Sequence, residues 1–262
     1  MKEKILRQLP YVSVPSRYTG MEINAVHKDV ERCKIKVALC YPDLYEIGMS
    51  SLGMRVLYGL LNEDRETVCE RLFSPGQDME DLLRSNHLPL FTLESKMPLK
   101  DLDIIGFSIS SELNYTNVLN IFSLADISVF SSERTEECPI IIAGGNCIFN
   151  FGPLEPFIDC FVVGEGEEVV VEMIEILKET KNKGREKILS AFSSIEGVYV
   201  PSFPKDSVKK RVVKDFNDTY VPLRWIVPLT EIVHDRVSIE IMRGCGQGCF
   251  FCQAGRCWRP VR

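Results

Sequence analysis

Five short apolar runs, most of them closed by glycine, serine or proline, constrain this chain more than any other feature. Ile35, Val37, Leu39 and Cys40 form the first, which stops at Tyr41 and Pro42. Thr67 to Phe73, Ile104 to Ile109, Pro139 to Ala143 and Cys160 to Val163 form the others. Amphipathic stretches separate them. Leu52, Val56, Leu57, Leu60 and Leu61 recur on one helical face, a short helix over Asp78–Ser85 takes Asp78 as N-cap, and another runs from Asn114 to about Val129. After the fifth run, Glu167 and Glu168 open a helix with Val169, Val170, Met173, Ile174 and Leu177 on its apolar face. Lys178, Lys181 and Lys183 crowd its end, and Gly184 stops it. Apolar strands alternating with such helices predict an α/β fold, a doubly wound parallel sheet covered on both faces.

In such a sheet a ligand binds beyond the C-terminal strand ends. Those ends carry Asp43 to Gly48 after the first strand, Ser108, Ile109 and Ser110 after the third, Gly144 and Gly145 after the fourth, and Gly164 to Glu167 after the fifth. Taken singly, each is an ordinary turn or capping residue. Residues 1–33, with Pro10, Pro15 and Gly20, read as an arm or short helix packed on the body, carrying no legible chemistry. The sheet domain is expected over 34–184 and a connector over 185–235, with a helix at Lys187–Phe192 and strands at Gly197–Val200 and Val208–Val213. His234 and Asp235 end the connector, and a lone histidine there is read as a surface or packing residue.

The distinctive stretch comes next. Val237 to Met242 alternate as a strand does and run into Gly244, after which Cys245, Cys249 and Cys252 stand at C-x3-C-x2-C. Three cysteines within eight residues, separated by glycine and polar residues, are metal ligands in pattern, not core packing. Glycines allow the tight backbone that lets three thiolates converge. Two centres remain open at this level: a zinc knuckle completed by Cys257, or an iron–sulfur cluster with three protein ligands.

Composition narrows the setting. A chain of 262 residues, 45% hydrophobic and 26% charged, is globular, and no apolar run approaches the roughly 18 residues that span a bilayer. The N-terminus lacks a signal peptide, and ten cysteines without secretion predict reduced thiols in a cytoplasmic protein with no membrane partner. The net charge of −6 argues against a broad nucleic-acid surface. Arg243, Arg256, Arg259 and Arg262 nevertheless follow Ile241 without a single acid, a basic rim suited to a thiolate centre and a carboxylate ligand.

C-x3-C-x2-C with an aromatic, Phe251, just before the last cysteine resembles the signature loop of the radical S-adenosylmethionine (SAM) enzymes. The resemblance implies a 4Fe-4S cluster on Cys245, Cys249 and Cys252, Cys257 free, SAM on the open iron and Phe251 near its adenine. It also implies reductive cleavage of SAM to a 5'-deoxyadenosyl radical, with a reductant such as flavodoxin or ferredoxin as partner. Asp43, Tyr45, Gly48, Ser108, Ser110, Gly144 and Gly145 resemble the cobalamin-binding domains that precede the cluster loop in one radical SAM group, with Tyr45 in place of the cobalt-ligating histidine and Ser110 in place of leucine. That implies cobalamin as a candidate cofactor of a flavodoxin-like Rossmann domain. Residues 236–262 would then be the first strand and cluster loop of a partial TIM-type barrel. The chain is expected to be truncated after the cluster motif, inactive alone, and complemented by a second polypeptide with the rest of the barrel. The other class left open is a non-catalytic zinc or iron–sulfur module on the same scaffold.

Overall fold

The computed structural model describes residues 1–262. Six strands form one sheet: β1 Ile35–Tyr41, β2 Thr67–Phe73, β3 Ile104–Ser108, β4 Ile140–Gly144, β5 Cys160–Val162 and β6 Val198–Tyr199. The helices are α1 Lys2–Leu6, α2 Tyr45–Gly48, α3 Leu52–Glu63, α4 Gln77–Ser85, α5 Tyr115–Ala125, α6 Glu167–Thr180, α7 Arg185–Ser193 and α8 Ala254–Cys257. Strand order is β2-β1-β3-β4-β5-β6, with β1 to β5 parallel and β6 antiparallel on the far edge. This is the expected α/β fold, doubly wound with the flavodoxin-like order, and its topology reverses between β1 and β3.

Side chains alternate across the sheet as the pleat requires. Ala38, Cys40, Ile105, Phe107, Ile141 and Phe161 face α4, α5 and the N-terminal arm. Val37, Leu39, Ile104, Ile142, Cys160 and Val162 face α3, α6 and α7. Each face buries a cluster of 29 residues, so both faces are true cores and neither is open to solvent.

Several local expectations are corrected. Gly76 caps α4, while the Asp78 carboxylate accepts the Ser13 amide at 2.6 Å and so ties down the arm. Helix α5 stops at Ala125 because Asp126 turns left-handed, with φ 54°. Val208–Val213 forms no strand; it contributes one parallel bridge, Arg211 to Gly164. Gly164 has φ 118°, and a Cβ there would fall 2.2 Å from the Arg211 carbonyl oxygen, so only glycine admits this approach. Val237–Met242 pairs with nothing, and its Ile239 and Ile241 are 74% and 89% exposed. Lacking a neighbouring ladder, an alternating apolar segment has no face to bury.

The arm is part of the fold and carries chemistry the sequence did not disclose. Glu22 is buried against Arg71 of β2, with Oε2 2.8 Å from Nη2. Arg71 Nε also donates to Glu94 at 2.7 Å, and Tyr45 donates its hydroxyl to Glu22 at 2.8 Å. Burial alone would raise the Glu22 carboxyl, but the charge and hydrogen bonds of Arg71, joined by Tyr45, hold it below its ordinary range. Burial prevails at Glu94, whose carboxyl is pushed up beside the same arginine. The Leu93 amide donates to the Arg71 carbonyl at 2.9 Å, so the segment around Leu93 also covers part of the exposed edge of β2.

Removing the guanidinium strands two buried carboxylates, and Arg71→Met is expected to lower unfolding stability by about 3–5 kcal/mol in urea titration. Arg32→Ala, at an exposed pair with Asp29, should leave the midpoint unchanged. Equal effects of the two substitutions would refute this assignment.

Candidate metal centre

The cysteine stretch is one closed loop. Arg243 and Arg262 exchange reciprocal backbone hydrogen bonds, each 2.9 Å, which join residues 243 and 262 as a neck. Gly244 starts the loop with φ 97°, and a Cβ there would lie 2.5 Å from the Trp258 carbonyl oxygen. Inside it the Cys252 amide donates to the Cys249 carbonyl at 3.2 Å, and the single turn α8 ends at Cys257. All four thiols are free; Cys249 is exposed and Cys245, Cys252 and Cys257 half-buried. Phe250 and Phe251 project into solvent without a packing partner.

Thiols are the only strong metal donors on this loop, since residues 244–261 contain no aspartate, glutamate or histidine. That donor set fits soft thiolate coordination of iron–sulfur or zinc and not a hard-cation site. Nowhere in the molecule do three cysteine, histidine, aspartate or glutamate side chains meet in metal-ligand geometry, these cysteines included. Convergence of deprotonated thiols is ordinarily a product of binding, because the metal supplies the free energy that assembles its ligands.

The neck sits on the sheet. Arg243 Nη2 lies 2.7 Å from both Glu167 and Glu240, and its Nη1 3.4 Å from Glu165. Arg262 pairs with the other Glu165 oxygen. Both guanidinium groups lie over the Phe216 ring, at 5.1 and 5.7 Å from its centroid. Lys210 donates to the carbonyls of Cys257 and Arg259. The expected basic rim is thus corrected: Arg243 and Arg262 face carboxylates of the β5–α6 turn, and only Arg256 and Arg259 are exposed. The signal for this pairing was present as Gly164-Glu165-Gly166-Glu167, an acidic strand end opposite in sign to the arginine-rich stretch.

The strand-end residues divide into two groups. Asp43, Ser108, Ser110, Gly144 and Gly145 gather at the C-terminal ends of adjacent β1, β3 and β4. Among them, Asp43 accepts from the Leu44 amide and Asn114, and the Gly144 carbonyl accepts from Ile109. Tyr45 and Gly48 turn beneath the arm. Tyr45 is 2% exposed and packs edge-on against Phe73 with its hydroxyl on Glu22. A Cβ at Gly48 would meet the Phe73 ring at 2.3 Å, and the cavity beside Tyr45 and Phe73 measures about 20 Å³, room for one water. Tyr45 is thus sealed inside the protein and could give cobalt no axial ligand, while Asp43, Ser108, Ser110, Gly144 and Gly145 at the neighbouring strand ends lie outside that cavity.

The family described as radical SAM proteins, N-terminal, matches residues 53–201, and the chain belongs to that family. The match covers more than half the chain and ends before the cysteine loop, so it is independent of the C-x3-C-x2-C spacing. An uncharacterized protein of Methanocaldococcus jannaschii is 26% identical over 229 residues, covering 86% of this chain and 42% of that protein. The chain therefore spans less than half the length of the curated relative it matches. The solved radical SAM methyltransferase TsrM of Kitasatospora setae, with tryptophan and a SAM analogue bound, aligns at 15% identity over 62% of this chain and 28% of its own, with a TM-score of 0.35, too distant to support an argument. No helix is long and apolar enough to cross a membrane.

Any hydroxocobalamin taken up in equilibrium dialysis should show the absorption spectrum of cobalamin without a protein axial ligand, because the Tyr45 hydroxyl is held by Glu22. A spectrum of protein-ligated cobalt that is lost in Tyr45→Phe would show instead that the Tyr45 region opens.

Proposed function

We propose that this chain is the cluster-bearing N-terminal part of a radical SAM enzyme, in which Cys245, Cys249 and Cys252 hold a 4Fe-4S cluster. The observation that carries the reading is the closed loop 243–262, with thiols as its sole strong metal donors, in a chain whose family match lies elsewhere. When bound, the cluster and SAM supply an electron transfer that cleaves SAM to a 5'-deoxyadenosyl radical for modification of a substrate. The protein's part is to bind, orient and exclude water. Gly246 and Gly248 leave space around the loop backbone, where a Cβ on Gly248 would meet nothing within 4 Å. Phe251 offers an exposed aromatic face for the adenine.

Val237–Met242, apolar and unpaired, is the segment that would join the further strands of a barrel, on this polypeptide's continuation or on a second one. Exposed Cys249 and Phe251 need such cover before a radical is protected from solvent. A flavodoxin- or ferredoxin-type reductant is the electron source this reading requires. Cobalamin is not required by this reading, and were it bound its lower face would lack a protein ligand, because Tyr45 is buried on Glu22.

Anaerobic reconstitution should load about four irons per chain, as this cluster type demands. Cys245→Ala, Cys249→Ala or Cys252→Ala should each abolish stable loading, while Cys257→Ala should retain it, by iron analysis and electron paramagnetic resonance. Addition of SAM should alter the reduced-cluster spectrum. Stoichiometric zinc retained without iron, lost in Cys257→Ala, would instead establish the knuckle. Residues 1–262 alone are expected to form no 5'-deoxyadenosine above background, and robust turnover would refute the need for further strands.

A further inference from the structure

The contacts between the cysteine loop and the β5–α6 turn are far more shielded than a solvent-exposed ion pair. Arg32 and Asp29 form an ordinary one, with side chains 88% and 54% exposed. At the neck the figures are 12% for Arg243, 8% for Glu165 and 13% for Glu167. Exposed pairs contribute little because water screens them, whereas pairs shielded to this degree hold a defined geometry. Glu165 is itself fixed from behind: its Oε2 accepts the Val213 amide at 2.7 Å, and its own amide donates to the Arg211 carbonyl at 3.1 Å. Arg211 is in turn braced on α6 through Glu168 and Glu172. A continuous chain of contacts therefore runs from α6, through Arg211 and Glu165, to the residue two positions before Cys245.

We infer that Glu165 and Glu167 are positioning residues that seat the cysteine loop on the α/β domain through Arg243 and Arg262, so that the strand end of β5 sets where the loop's thiols stand. Opposed carboxylates neutralise the two arginines, which therefore act on placement and not as free positive charge beside the thiols. Lys210, holding the Cys257 and Arg259 carbonyls, fixes the far side of the loop from the same segment as Arg211. For the cluster itself the inference rests on the ligand assignment of Cys245, Cys249 and Cys252; for the loop's seating it does not.

The test uses the full 262-residue chain and two readouts. Glu165→Gln combined with Glu167→Gln keeps size but removes both charges and exchanges one acceptor oxygen of each side chain for an NH2 donor. In the metal-free protein, amides of 243–262 should then exchange with solvent roughly tenfold faster, while those of β1 and β3 keep their protection and report an intact fold. Glu167→Gln alone, whose carboxylate contacts only Arg243, gives a milder variant in case the double one does not fold, and it should shift the same amides in the same direction. Arg243→Lys, which keeps the charge but loses the fork, should fall between wild type and Arg243→Gln. After anaerobic reconstitution the double variant should take up iron as wild type does, yet give a broadened spectrum with a weakened response to SAM. Unchanged exchange of 243–262 in both glutamine variants overturns the inference. Accelerated exchange in a protein that takes up no iron even as wild type would uphold the seating and refute the cluster assignment.

Discussion

Arg71 is the interaction on which the rest of this structure depends. Its guanidinium gathers Glu22 from the arm and Glu94 from the segment after α4, and makes a 3.2 Å contact with the Met49 sulfur, so four stretches distant in sequence meet at one buried cation. A charge at 3% exposure is tolerable only when fully paired, which forces the arm to lie across the C-terminal half of β2. Once it lies there, Tyr45 is covered, because its hydroxyl is held by the same Glu22. The burial of Tyr45 follows from the folding of the arm.

That dependence explains what the sequence could and could not convey. Strands β1 to β5 were legible because each is a dense β-branched or apolar run with a sharp stop, and β2 was placed to the residue. Helix ends were less legible: the left-handed turn at Asp126 and the Gly76 cap are conformational choices that propensity states weakly. Glu70 and Arg71 within the apolar run Thr67–Phe73 were a visible anomaly, since a charge inside a two-sided buried strand demands a partner. Nothing in local spacing names that partner as Glu22, 49 positions away.

The D-x-Y-x-x-G stretch shows how a pattern can survive while its environment changes. Asp43, Ser108 and Gly144 still meet at the strand ends because the sheet topology brings them there irrespective of ligand. Tyr45 differs from histidine in offering a hydroxyl that Glu22 accepts and a ring that Phe73 meets edge-on, and both contacts draw it inward. Fold likeness therefore persists at this position while a ligand role does not carry over with it.

The cysteine loop presents the complementary case, in which the local pattern was legible and its mounting was not. Three thiols at close spacing form a metal-ligand pattern on their own, but their placement depends on Arg243 and Arg262 meeting Glu165 and Glu167 across the full depth of the chain. Charge composition alone suggested that these arginines face the centre, because opposite charges attract wherever they are found. Geometry reverses that: the β5 end, pinned by the Gly164–Arg211 approach, presents carboxylates first, and shielded fork-to-carboxylate contacts outcompete a solvent-exposed alternative. The α/β domain thereby has a physical means to influence where the thiols stand without contributing one. Its strand end holds the neck, and the neck delimits the loop that carries the thiols.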